Sequence, residues 1–61
     1  MDILDAMEAM MHGKKVACED WEDSEHIRFD KDNRQVIDES GQEVPAYTLL
    51  MNMDSDWRVI E

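Results

Sequence analysis

The chain has 61 residues, six Lys plus Arg against sixteen Asp plus Glu, a formal net charge of −10 and a single cysteine. One domain is the most this length allows, and a domain of this size buries only roughly 60% of the surface its unfolded chain exposes. The charge works against duplex DNA or RNA and against an anionic membrane surface, because both are bound by Lys and Arg that neutralise phosphates. Residues 2–12 read as an amphipathic helix. Ile3, Ala6, Met7, Met10 and Met11 recur at helical spacing, Leu4 widens the stripe, Asp2 stands where an N-cap belongs, and Gly13 where a C-terminal glycine belongs. The period then changes to two. Lys14–Cys18 is expected as a strand with Val16 and Cys18 on one face and Lys15 and Ala17 on the other. Glu19–Ser24 is an acidic loop carrying Trp21.

Further along, His26–Asp30 alternates with Ile27 and Phe29 inward and His26, Arg28 and Asp30 outward. Lys31–Arg34 is a turn, Gln35–Asp38 a short strand, and Glu39–Gln42 a second turn in which Gly41 can take positive φ. Beyond Pro45, Ala46–Met51 reads as a strand rich in Tyr, Thr and Leu. Asn52–Asp56 is a polar connection, and Trp57–Ile60 a last strand. The expected fold class is α+β: one N-terminal helix packed on an antiparallel sheet of four to five short strands, in a single domain over 1–61. Hairpin-length turns favour antiparallel pairing, since parallel pairing needs long crossovers.

The lone Cys18 excludes a disulfide within the chain and suits a reducing cytosol. It reads as a small buried hydrophobe on the first strand. His12, Cys18 and His26 lack metal-ligand spacing, and no cofactor motif is present, so neither a metal nor a cofactor is expected. The start, MDILDAMEAMMHG, has no basic leader region, and Asp2, Asp5 and Glu8 interrupt its apolar run, so it reads as neither a signal peptide nor a membrane span. Carboxylate pairs are too frequent for any one to point to acid–base chemistry. Ser24, Ser40 and Ser55 all stand in turn contexts, and two glycines do not make a phosphate loop. The chain is therefore read as a binding protein and not as an enzyme. Trp21 and Trp57 are the candidates for stacking on a planar ligand group, with core packing as the alternative for each. Subunit contacts are the expected means of stabilising so small a core.

The run Ile3-Leu4-Asp5-Ala6-Met7-Glu8-Ala9-Met10, then Gly13-Lys14-Lys15-Val16-Ala17, then Trp21, and finally Asp56-Trp57-Arg58-Val59, resembles the Thoeris anti-defence phage protein family. The two ends of the chain carry the resemblance. It implies a phage or prophage protein that sequesters a nucleotide-derived immune signal, a cyclic ADP-ribose isomer or cyclic oligonucleotide, without degrading it. It also implies a homo-oligomer, dimer or tetramer, working in the host bacterial cytoplasm. Carried over by position, Trp21 corresponds to the tryptophan that stacks on the ligand base. Asp56 and Trp57 form the closing pair, and Lys14 and Lys15 are the basic positions before the first strand. Cys18 replaces a basic residue of the family pattern. With −10 overall, an anionic ligand requires Lys14, Lys15, Arg28 or Arg34 to face the site. The alternative reading is an acidic inhibitor or DNA mimic that blocks a basic partner through Glu19-Asp20, Glu22-Asp23 and Asp38-Glu39.

Overall fold

A computed structural model describes residues 1–60. The elements in chain order are α1 (Ile3–Met11), β1 (Lys15–Cys18), β2 (Ile27–Asp30), β3 (Gln35–Asp38), α2 (Ala46–Met51) and β4 (Trp57–Ile60). Local chemistry sets both ends of α1. The Asp2 carboxylate accepts from the Asp5 N–H at 2.9 Å, which satisfies one of the four donors a helix start leaves open. At the other end the Gly13 N–H donates to Met10 and the Lys14 N–H to Ala9, at 2.9 and 3.1 Å. Gly13 sits at φ +84°. That pair of bonds with a left-handed glycine is a Schellman closure, and it turns the chain straight into β1.

The four strands form one antiparallel sheet in the order β3-β2-β1-β4. The turn between β2 and β3 is closed by Arg34 at φ 54° and by Asp30, which accepts from the Asp32 N–H and the Asn33 amide. The closing strand joins the sheet as an edge strand and pairs along β1 from Lys15↔Ile60 to Cys18↔Trp57. Met1 exchanges backbone hydrogen bonds with Trp57, at 2.8 and 2.9 Å. On the other edge, Val44 donates to Val36 at 2.7 Å and Glu43 bridges Ile37. Both sheet edges thus have part of their unpaired backbone covered, which blunts edge-to-edge association.

One side of the sheet holds the core. Ala6 and Met10 of α1 pack on Val16, Cys18, Ile27 and Trp57, with Phe29, Val36, Leu49 and Val59 at the margins. The expected alternation in β1 and β2 is present. Cys18 is buried as expected. Ala17, on the opposite side, is also buried, which the polar alternation did not anticipate.

One expectation is corrected. Ala46–Met51 is a helix and not a strand. Pro45 enters it in an extended conformation, with φ −69° and ψ 155°, and its carbonyl accepts from Thr48 at 3.0 Å. Ala, Leu and Met favour helix more than Tyr and Thr oppose it. A strand here could not have joined β1 or β3, because β1 is flanked by β2 and β4, and the β3 edge is taken by Glu43 and Val44. The sheet therefore has four strands, within the expected range, and the α+β class stands.

Candidate functional site

The two tryptophans occupy different environments. Trp57 opens β4 and is 1% exposed. Its indole N–H donates to the Asn52 carbonyl at 3.2 Å, so its one polar atom is satisfied inside the fold. Trp21 lies in the connection after β1, where its backbone N–H donates to Cys18 at 3.1 Å. It is half-buried, and its ring meets that of Trp57 edge-to-face, with centroids 5.4 Å apart and planes at 71°. The buried indole thus holds the accessible one in place.

Trp21 forms one wall of an open cleft of about 330 Å³. The other walls come from His26 and Ile27, from Glu43-Val44-Pro45, and from Thr48 and Asn52 of α2 and its end. The volume is at the lower end of the range for small-molecule sites. Four carboxylates also line it, Glu25, Asp38, Glu39 and Glu43, and no Lys or Arg does. Three of these acids bond to nearby backbone. Glu25 accepts from the Glu22 N–H at 2.9 Å and Glu39 from the His26 N–H at 3.2 Å. Asp38 accepts from the Ser40 N–H, the Ser40 hydroxyl and the Gln42 N–H, at 2.9, 2.7 and 3.1 Å. The Ser40 hydroxyl is the main reason the Asp38 carboxyl stays below its ordinary range.

The sequence-based site residues do not converge on this cleft. Lys14 is exposed, and its backbone closes α1. Lys15 begins β1 opposite Ile60, and Arg28 lies in β2 opposite Ile37; both are exposed and on the sheet side away from α1. Asp56 is exposed, and its carbonyl accepts from the Glu19 N–H at 2.9 Å. Of the six, only Trp21 lines the cleft, and Trp57 supports it from behind. Arg58 was not singled out from sequence, although the alternation of β4 places it with Lys15 and Arg28. Of the cleft acids, Asp38 and Glu39 are a pair that the acidic-inhibitor reading names, whereas Glu25, Glu43 and His26 carry no local mark.

Burial pushes the Cys18 thiol above its ordinary value, with Asp20 adding to the effect and a hydrogen bond with Ser55 opposing it. A thiol in that state is a poor nucleophile. Among the described residues no group of His, Cys, Asp and Glu could hold a metal ion, and no helix is long and apolar enough to cross a membrane. No protein-family model, curated protein or solved structure matches this chain.

Proposed function

We propose that this protein is a non-catalytic sponge that binds and sequesters a nucleotide-derived signalling molecule, in the manner the resemblance to the Thoeris anti-defence family implies. The observation that carries the reading is Trp21: a half-buried indole, braced by a buried one, on the wall of a cleft of ligand size. Stacking one base on such a ring is worth on the order of 1–3 kcal/mol. A lone domain this small encloses little, so the proposal includes a homo-oligomer. In its support, Leu4, Met7 and Met11 run along α1 as an exposed apolar stripe, 70%, 45% and 60% accessible. A thermal-shift screen against cyclic dinucleotides and ADP-ribose derivatives tests the reading. A ligand at a hundredfold excess over its Kd adds about 2.7 kcal/mol of stability. Unchanged melting with every compound at millimolar concentration would sink it.

The four carboxylates of the cleft favour a second reading, in which the domain blocks a basic protein partner through its acidic surface. Complementary charge then steers the encounter, and raised salt slows it steeply. Affinity purification from the host with the tagged protein, at low and high salt, tests this. Recovery of no basic protein at low salt counts against it.

A further inference from the structure

The side of the sheet away from both helices carries its own pattern. Strand alternation places Lys15 and Ala17, Arg28 and Asp30, Gln35 and Ile37, and Arg58 and Ile60 on that side. Both helices pack on the other side, α1 through Ala6 and Met10 and α2 through Leu49. The register Val16↔Ile27 sets Lys15 beside Arg28, and Ala17↔Arg58 sets Arg58 one strand away from Ala17. Half of the six cations of a chain with sixteen acids therefore stand on one helix-free side of the sheet.

Neighbouring carboxylates offset them only in part. Among the described residues the one ion pair is Arg58 with Asp23, at 3.8 Å, and that Asp23 side chain is fully exposed. The Arg58 Nε is buried with no hydrogen-bond partner. Asp30, the carboxylate on the same side, is held mainly by the Asn33 amide and accepts from the Asp32 N–H, and the Arg28 charge is the smallest of the influences on it. Like charges on directly opposed strand positions are destabilising, so Lys15 beside Arg28 is an arrangement that folding alone does not favour. Strands are about 4.8 Å apart. Three long cationic side chains from that neighbourhood can therefore converge on a single anionic group of diphosphate size. The more distant carboxylates of the chain act on it weakly, since the Debye length is about 8 Å at physiological salt.

We propose that Lys15, Arg28 and Arg58 form a phosphate-binding surface for a nucleotide-derived ligand, separate from the cleft at Trp21. This rests on the sponge reading but not on base stacking at Trp21: the three cations lie on the side of the sheet opposite the cleft, so a ligand held here by its phosphates does not occupy the cleft at the same time. An arginine fork suits a phosphate because it donates two parallel hydrogen bonds.

The test is a ¹H–¹⁵N titration of the full chain with ADP-ribose and, separately, with inorganic pyrophosphate. Both should shift the amides of Lys15, Ala17, Arg28 and Arg58. Arg28→Gln should weaken ADP-ribose at least tenfold, and Arg28→Lys should recover part of the loss. Both positions named for substitution, Arg28 and Lys15, are exposed, and Lys15→Gln serves should Arg28→Gln fail to fold. ADP-ribose shifts confined to the Trp21 cleft and indifferent to these substitutions would overturn the phosphate surface while leaving the sponge reading intact. An absence of shifts with ADP-ribose, pyrophosphate and a cyclic dinucleotide alike would overturn both.

Discussion

Trp57→Ala should unfold this domain or leave it barely folded. Trp57 is among the largest fully buried side chains, and it joins α1, β1 and the end of α2. Truncating a buried tryptophan to alanine costs about 3–5 kcal/mol, part transfer and part cavity. Native domains hold about 0.05–0.15 kcal/mol of stability per residue, which for 61 residues is about 3–9 kcal/mol. The loss is therefore comparable with the whole. Trp57→Phe keeps most of the apolar volume and removes one of the two hydrogen bonds that the Asn52 carbonyl accepts, the Ser55 N–H remaining, for about 0.5–1.5 kcal/mol. At this size that is a fall in Tm of roughly 2–12 °C. Urea melts followed by far-UV circular dichroism measure both. Trp21→Ala, in contrast, removes a half-buried ring and an edge-to-face contact worth about 0.5–1.5 kcal/mol, and should leave a cooperative transition. If Trp57→Ala melts cooperatively within about 1 kcal/mol of the wild type, a loss far below the usual range for a buried tryptophan, Trp57 is not the centre of the core. The division of the two tryptophans into support and platform then fails.

Three further outcomes follow from local features. Gly13→Ala should cost about 1 kcal/mol, because the position needs left-handed backbone, although an added Cβ would touch nothing within 4 Å; a thermal melt with no decrease would show that the Schellman closure is not what ends α1. The Asp38 carboxylate titrates below its ordinary value chiefly because of the Ser40 hydroxyl. A depressed carboxylate contributes stability above its unfolded value that is lost as the pH falls through the folded one, so Ser40→Ala should raise the Asp38 midpoint in a ¹³C carboxyl titration and make acid unfolding begin at higher pH. Cys18 is buried with a raised pKa, so its alkylation by iodoacetamide should proceed only through unfolding; a rate in native buffer equal to that in urea would contradict its place in the core.

The parts of the fold that local chemistry sets were legible in the sequence. Asp2, Gly13 and the spacing of Ala6 and Met10 define α1 within a residue at each end. The period of two in Val16–Cys18 and Ile27–Phe29 defines the inner side of β1 and β2. Ala46–Met51 misled because six residues hold too few turns for a helical period to show, and Tyr47 and Thr48 pull a propensity reading toward strand. Its exclusion from the β1 and β3 ladders is a property of the whole sheet. The cleft was hidden for the same reason: Trp21, His26, Asp38, Glu43 and Thr48 meet only after β2, β3 and α2 are in place. Arg58 was within reach of the sequence. Trp57 inward places Arg58 outward, and only the pairing of β4 with β1 reveals that it joins Lys15 and Arg28.

The net charge, taken alone, speaks for a basic partner and against a phosphate. The placement of the charges weakens both inferences. Asp30, Asp38, Glu25 and Glu39 each accept hydrogen bonds from nearby backbone or side chains, so part of the acidity has a structural cause and needs no partner. Salt dependence cannot separate the readings, because screening weakens a carboxylate–lysine contact and an arginine–phosphate contact alike. Reversing one charge can. Arg28→Glu replaces a positive with a negative charge at an exposed position outside the core cluster. A basic partner should then bind as well as before or more tightly, with the change in association rate. A phosphate-bearing ligand should bind at least tenfold more weakly. Calorimetric titration of that one variant against ADP-ribose, beside its capture of basic protein from host extract at low salt, gives opposite signs for the two readings. Unchanged ADP-ribose affinity would remove Arg28 from the phosphate site.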